Sequence, residues 1–266
     1  MDPTANISFT ILGSGTAVPW RGRSSPGIAL GVEGEESSCL ALIDPSAGSS
    51  HRAAASGYDF SKLTHVVFSH YHPDHTGDLV PILFALKNPN YHHVGGEEPL
   101  RLVGPVGLSR LVRQLTDIYG DWVDLGHRVV VEEIDRPAEG RFFTIGPVEV
   151  TWYPVDHTEN SVAYRFETRA GRVLAYSGDT DFCDGIIEAA RGAETLVLDC
   201  AFPEGQKRKG HLIPSEAGRI AAAANVRKLV LTHLYPECWG EDLVTPCRTH
   251  YGGDVFIAED GLTVHL

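Results

Sequence analysis

Apolar residues along the chain fall into two kinds of run. Short apolar or alternating stretches rich in β-branched and aromatic residues, bounded by Gly, Pro, Asn or Asp, predict strands. They lie over 7–12, 28–32, 39–43, 65–68, 100–103, 128–133, 148–153, 161–167, 172–176, 195–198, 228–231 and 255–258. Segments of helical period are fewer: 78–86, 105–119 with Pro105 at its start, 183–190, and 215–224 with Ser215 as cap after Pro214. The strands at 148–153, 161–167 and 172–176 follow one another closely, and Gly171 closes the last turn, so they read as consecutive hairpins.

Strand groups alternating with helices would bury every apolar face if two mixed sheets packed face to face with helices on their outer sides. The expected fold is therefore α/β, a four-layer αββα sandwich. No shift in composition marks a boundary, so residues 1–266 are expected to form one domain.

Composition narrows the setting. No apolar run approaches the ~18 residues of a membrane span. The polar start Met1-Asp2-Pro3 leads directly into the first strand, unlike a signal peptide. Cys39, Cys183, Cys200, Cys238 and Cys247 are odd in number and widely spaced, which argues against a disulfide framework and favours the cytoplasm. With 22 Lys+Arg against 35 Asp+Glu the net charge is −13, a poor match to a broad nucleic-acid footprint. Two basic loops stand out, Arg21 with Arg23 and Lys207-Arg208-Lys209. Each reads as a solvated loop, or as a source of substrate-steering charge if both border one site.

The chemistry concentrates after the apolar run Val66-Val67-Phe68, in Ser69-His70-Tyr71-His72-Pro73-Asp74-His75. Imidazole and carboxylate both suit a borderline divalent cation. In extended backbone His70 and His72 point the same way and can grip one ion, and a turn at Pro73 swings Asp74 and His75 toward a second position. Three further strands end in residues of the same kind: Asp156-His157, Ser177-Gly178-Asp179 and Thr232-His233. Asp44, Asp78 and Asp199 also sit at strand ends and read either as carboxylates that orient metal-bound imidazoles or as turn caps. His51, His65, His92, His93, His127, His250 and His265 lack such a setting and read as structural or solvated. The Gly13-Ser14-Gly15 stretch is a tight turn, and Pro19 excludes a dinucleotide-binding helix start behind it.

The His-x-His-x-Asp-His segment resembles the signature of the metallo-β-lactamase fold superfamily of metallohydrolases. Leu12-Gly13-Ser14-Gly15-Thr16 and Tyr176-Ser177-Gly178-Asp179-Thr180 resemble motifs of its ribonuclease Z and cyclic phosphodiesterase branch. The resemblance implies that His70, His72 and His157 hold one divalent ion, Asp74, His75 and His233 hold another, and Asp179 bridges them. It also implies that His211 contacts the scissile phosphate and assists proton transfer, so Asp74 and His211 are the catalytic candidates. Zinc is the expected metal, and manganese or iron would accept the same donors. Two such ions, two carboxylates and a metal-bridging hydroxide leave roughly +1 charge, which suits a phosphodiester monoanion.

One departure bears on the substrate. Ribonuclease Z commonly carries a long tRNA-gripping arm between the histidine and the bridging aspartate. Here only a single hairpin separates His157 from Asp179. Small cyclic or linear phosphodiesters are thus expected ahead of tRNA. An ester, lactone or β-lactam hydrolase and a non-catalytic metal-holding binding module are the competing readings. The sequence leaves a homodimer open.

Overall fold

A computed structural model describes residues 6–34, 38–88, 98–135 and 141–266. His92 and His93, and the first five residues read above as a polar leader into the first strand, lie outside the described residues. The strands are β1 (Asn6–Gly13), β2 (Gly27–Glu33), β3 (Ser38–Ile43), β4 (Leu63–Val67), β5 (Leu100–Pro105), β6 (Val129–Ile134), β7 (Phe143–Ile145), β8 (Val148–Pro154), β9 (Val162–Glu167), β10 (Val173–Tyr176), β11 (Thr195–Asp199), β12 (Lys228–Thr232), β13 (Asp254–Ile257) and β14 (Thr263–His265). The helices are α1 (Ser49–Ala55), α2 (Pro73–Thr76), α3 (Leu79–Ala85), α4 (Leu108–Tyr119), α5 (Asp184–Ala190), α6 (Pro214–Ala223) and α7 (Val244–Arg248).

The strands form two seven-stranded sheets, ordered β14-β1-β2-β3-β4-β5-β6 and β13-β12-β11-β10-β9-β8-β7. Both are mixed. Each begins as antiparallel neighbours and continues in parallel, from β3 through β6 in the first and from β10 through β13 in the second.

Three apolar clusters separate four layers. Phe9, Leu30, Trp152, Tyr164 and Phe166 belong to the cluster between the sheets. Leu42, Val66, Leu79 and Leu108 join α3 and α4 to the outer face of the first sheet. Ile186, Leu198, Ile220 and Cys247 join α5, α6 and α7 to the outer face of the second. The αββα sandwich expected from the sequence is the observed fold. Among the described residues no helix is long and apolar enough to cross a membrane.

Two local expectations are corrected. Pro105 ends β5, paired with Ile134, rather than opening a helix; Gly107, with φ +113°, makes the turn into α4. Ser215 does not cap α6. Pro214 takes the first helical position, the Glu216 carboxylate accepts from the Ile213 N–H at 3.3 Å, and the Ser215 hydroxyl donates to Glu204 instead.

His65 on β4 shows how burial sets a pH response. It is 7% exposed, stacks against Phe143 and faces Arg101 in the neighbouring strand. Burial, then the Arg101 charge, lowers its pKa to about 4. The unfolded chain then takes up a proton that the folded chain refuses, so stability present above pH 6.5 is lost as the pH falls toward 4. Between pH 7.5 and 5 the loss amounts to about 2 kcal/mol. Urea unfolding of His65→Phe beside the wild type at both pH values should show the gap between them shift by that amount toward the variant at pH 5. A constant gap would mean that His65 does not titrate on folding.

Candidate metal centre

The site lies at one rim of the sandwich, beyond the C-terminal ends of parallel strands from both sheets. After β4 the Phe68 N–H bond to Val103 O continues the first sheet, the chain bends at Ser69, and His72 is extended where it meets the next turn. Pro73 then opens α2, and the single turn carries Asp74 and His75 round to the far side. The turn is held to the second sheet by Ser69 O, which accepts from Val162 N–H, and by Phe68 O, which accepts from Tyr164 OH. Gly178, with φ +59°, lies so close that a Cβ would stand 2.5 Å from the Ser69 hydroxyl.

Donor atoms of His70, His72, His157 and Asp179 come within 4.8 Å of one another, and those of Asp74, His75 and His233 form a second such group. His157 Nε2 is 3.1 Å from His72 Nδ1. Asp179 stands between the groups. Its Oδ2 is 3.7 Å from His70 Nε2 and 3.5 Å from His157 Nε2, while its Oδ1 is 3.2 Å from His75 Nε2 and 3.3 Å from His233 Nε2. All seven residues singled out from the sequence therefore meet in one place.

The donor set fits a cation. His70 Nε2, His75 Nε2, His233 Nε2 and Asp179 Oδ1 are buried and have no hydrogen-bond partner. Orphaned polar atoms are costly to bury, and four converging on one space are explained by an ion that takes their lone pairs. The far edges of three of the rings are occupied. His157 Nδ1–H donates to Gly210 O at 2.8 Å, which leaves the Nε2 lone pair facing the cluster; His75 Nδ1 is 3.0 Å from Asp44 Oδ2 and His70 Nδ1 3.0 Å from Ser69 Oγ.

Charge follows the same logic. Burial would raise the Asp179 carboxyl, but the imidazoles of His233, His75 and His70 outweigh it and hold the group well below the usual carboxylate range. Burial drives His70 well below the usual imidazole value, so it is neutral and has a lone pair to give. Burial also opposes charge on His75, yet Asp179 and Asp44 on its two sides favour a positive charge there.

Of the three strand-end acids, two serve the cluster. Asp44 is fully buried at φ +47° and accepts from Ser69 N–H and Ser69 Oγ at 2.6 Å each, from Tyr176 OH at 2.8 Å and from His75. Such strain persists where the surroundings over-determine it. Asp44→Asn should lower metal affinity roughly 10- to 100-fold in a competitive chelator titration, because an amide cannot accept from all four donors. An unchanged affinity would show that Asp44 serves folding alone. Asp199 Oδ2 is 2.9 Å from His211 Nδ1 and accepts from Thr180 N–H. Asp78, by contrast, caps α1, accepting from Gly48 N–H and Ser50 N–H.

His211 lies over the cluster, its ring nearly parallel to that of His233 at 5.4 Å and 4.9 Å from that of His157. In the basic loops Arg21, Arg208 and Lys209 are exposed, as a solvated loop requires, whereas Lys207 and Arg23 depart from that reading. Lys207 is half-buried in ion pairs with Asp181, at 2.6 Å, and Glu216, so it braces the loop that carries Gly210 and His211 and is no steering charge. Arg23 is likewise committed, donating to Ser14 Oγ and Ala258 O. Ser69, Tyr176 and Gly210 were not foreseen; a hydroxyl or a carbonyl beside a ligand leaves no mark in sequence. His51, His65, His127, His250 and His265 belong to neither donor group.

The Beta-lactamase superfamily domain matches residues 41–234, a span that holds every member of both donor groups. The chain belongs to this superfamily. Its fold is that of the metallo-β-lactamases, and it is a metal-dependent hydrolase. It is 32% identical over 193 residues to the uncharacterized protein Rv1339 of Mycobacterium tuberculosis, covering 72% of this chain and 69% of that one. It is 26% identical over 299 residues to ribonuclease BN of Escherichia coli, covering 91% and 95%. The metallo-β-lactamase fold protein YhfI of Bacillus subtilis superposes with a TM-score of 0.82 at 25% identity, over 98% of this chain and 100% of that one.

Proposed function

We propose that this superfamily member is a dinuclear phosphodiesterase for small cyclic or linear phosphodiesters, folded as one domain over residues 1–266. The observation that carries the reading is the split of Asp179, whose two oxygens address two separate histidine groups. His70, His72 and His157 would hold one ion, Asp74, His75 and His233 the other, with Asp179 between them. Divalent ions there, zinc by donor type with manganese or iron as alternatives, supply Lewis acidity toward a phosphoryl oxygen and a water of pKa about 7.

The chain's own residues supply the rest. Asp44, Ser69 and Gly210 fix the imidazoles, so no reorganisation is needed as charge develops. Asp199 favours the protonated form of His211, which stands ready to give a proton to the departing oxygen. Ribonuclease BN is by name a nuclease, and its similarity supports a phosphodiester bond as target. From His157 to Asp179 the chain makes only the β9-β10 hairpin, which supports a small substrate over tRNA. Five free thiols suit a reducing compartment such as the cytoplasm.

The test is metal analysis of the purified protein followed by turnover of a chromogenic phosphodiester, cyclic nucleotides, a lactone, a β-lactam and a precursor tRNA. About two ions per chain and a preference for the small phosphodiesters are expected. Preference for the lactone or β-lactam would overturn the substrate reading, and no turnover at full metal loading would leave a binding module.

A further inference from the structure

Between β11 and α6 the chain passes beside the donor groups, and an ion-pair cluster sets its course there. Asp181, two residues beyond Asp179, accepts from Gly210 N–H at 2.8 Å with one oxygen and from Lys207 Nζ at 2.6 Å with the other. Lys207 also donates to Glu216, whose carboxylate accepts from Ile213 N–H at the start of α6. The Asp181 N–H in turn donates to Asp156 O at 2.7 Å. Asp156 precedes His157, and His157 Nδ1–H donates to Gly210 O at 2.8 Å. The N–H and the carbonyl of Gly210 are thus held by the segments that follow β10 and β8. Gly210 has φ +87°, and a Cβ there would stand 3.0 Å from His157 Nδ1, so no side chain fits between them.

His211 depends on this arrangement for its place over the cluster. Asp199 holds the ring at Nδ1, a single bond about which an imidazole can swing. The loop's own bonds are long: Phe202 N–H reaches Leu212 O at 3.4 Å, and His211 N–H reaches Arg208 O at 3.3 Å. Lys207 and Asp181 keep 31% and 24% of their side-chain surface in water, where an ion pair adds little to global stability. Its effect falls on position instead, and a displacement of about 1 Å at a reacting group can cost roughly 10²-fold in rate.

We propose that Lys207 and Asp181 are positioning residues, whose ion pair, extended to Glu216, sets Gly210 O against His157 and holds His211 where the departing oxygen needs its proton. The proposal rests on the phosphodiesterase reading of His211 and adds to it a requirement outside the histidine cluster.

The test uses the full chain at saturating zinc, with bound metal measured in every variant. On a phosphodiester with an alkoxide leaving group, Lys207→Met should lower kcat roughly 10- to 100-fold and leave KM within about threefold of wild type. With a nitrophenolate leaving group the loss should shrink, because that group departs without a proton. Lys207→Arg, which keeps the charge, should restore kcat to within about threefold of wild type. Added to His211→Ala, Lys207→Met should cost nothing more, since residues that act through one group are not additive. Asp181→Asn keeps the side chain's size, loses its charge and should give the same pattern if Lys207→Met fails to fold. A raised KM with kcat unchanged, strongest at low salt, would make Lys207 a steering charge and overturn the proposal. So would equal losses on both leaving groups that add in full to the loss in His211→Ala. If the wild type cleaves no diester, the phosphodiesterase reading fails by itself and zinc affinity decides. Through Gly210 and His157, Lys207→Met should weaken zinc binding about 10-fold in a competitive chelator titration, whereas equal affinities overturn the proposal.

Discussion

Asp179→Asn should lower turnover by roughly 10³-fold or more and reduce bound metal from about two ions per chain toward one. The substitution preserves size and removes the charge that both histidine groups share. Asp179 is 3% exposed, and in the metal-free fold its carboxylate is favoured by the imidazoles of His233, His75 and His70 around it. Removing that charge leaves the buried imidazoles without their partner, so the amide should be less stable than the acid at neutral pH when metal is absent. Elemental analysis, turnover and thermal unfolding with and without chelator separate these effects. Two ions per chain together with wild-type turnover would remove Asp179 from its place between the groups.

His211→Ala should keep its metal and still lose 10²- to 10⁴-fold in turnover on substrates with poor leaving groups, the range usual for a positioned acid. The loss should shrink with a nitrophenolate leaving group, which departs without a proton. Burial works against a charge on His211, but Asp199 and the hydrogen bond to it prevail and raise the pKa to about 9. The acid form is therefore populated at neutral pH and is lost as the pH rises, giving the wild type an alkaline limb. Cations bound at the neighbouring histidines act in the same direction as burial, so the limb falls at or below pH 9. It should be absent from the variant. A loss under threefold on both leaving-group classes would make His211 an ordinary loop residue, and loss of metal with activity would make it a ligand or a fold determinant.

How far the sequence spoke for itself depended on how local the determinant was. His70, His72, Asp74 and His75 occupy six positions after a buried strand, and that density alone marked a cation site. Which distant residue joins which group was another matter. His157 Nε2 reaches His72 Nδ1 across 85 residues, a pairing that strand register creates and spacing cannot reveal; the family resemblance supplied it. The strand-end acids looked alike as sequence, yet Asp44 holds His75 whereas Asp78 caps α1, because the turn after each strand leads to a different neighbour. Lys207 read as a free cation because its partners Asp181 and Glu216 lie in other elements. The longer strands were legible within one to two residues. The three-residue β7 and β14 were not, being too short to show alternation.

The division of the donor set between the two sheets has a consequence for the order of events as the chain folds. His70, His72, Asp74 and His75 are neighbours as soon as their turn exists, whereas His157, Asp179 and His233 arrive only after long loops have closed. An ion offered to the unfolded chain meets a four-donor fragment that lacks its counterparts and can hold that fragment in an incomplete ligand shell. Refolding in the presence of excess zinc is therefore expected to be slower than refolding with chelator followed by metal addition. Loading would then be the last step of maturation, and a bound ion would join two sheets that had already found each other.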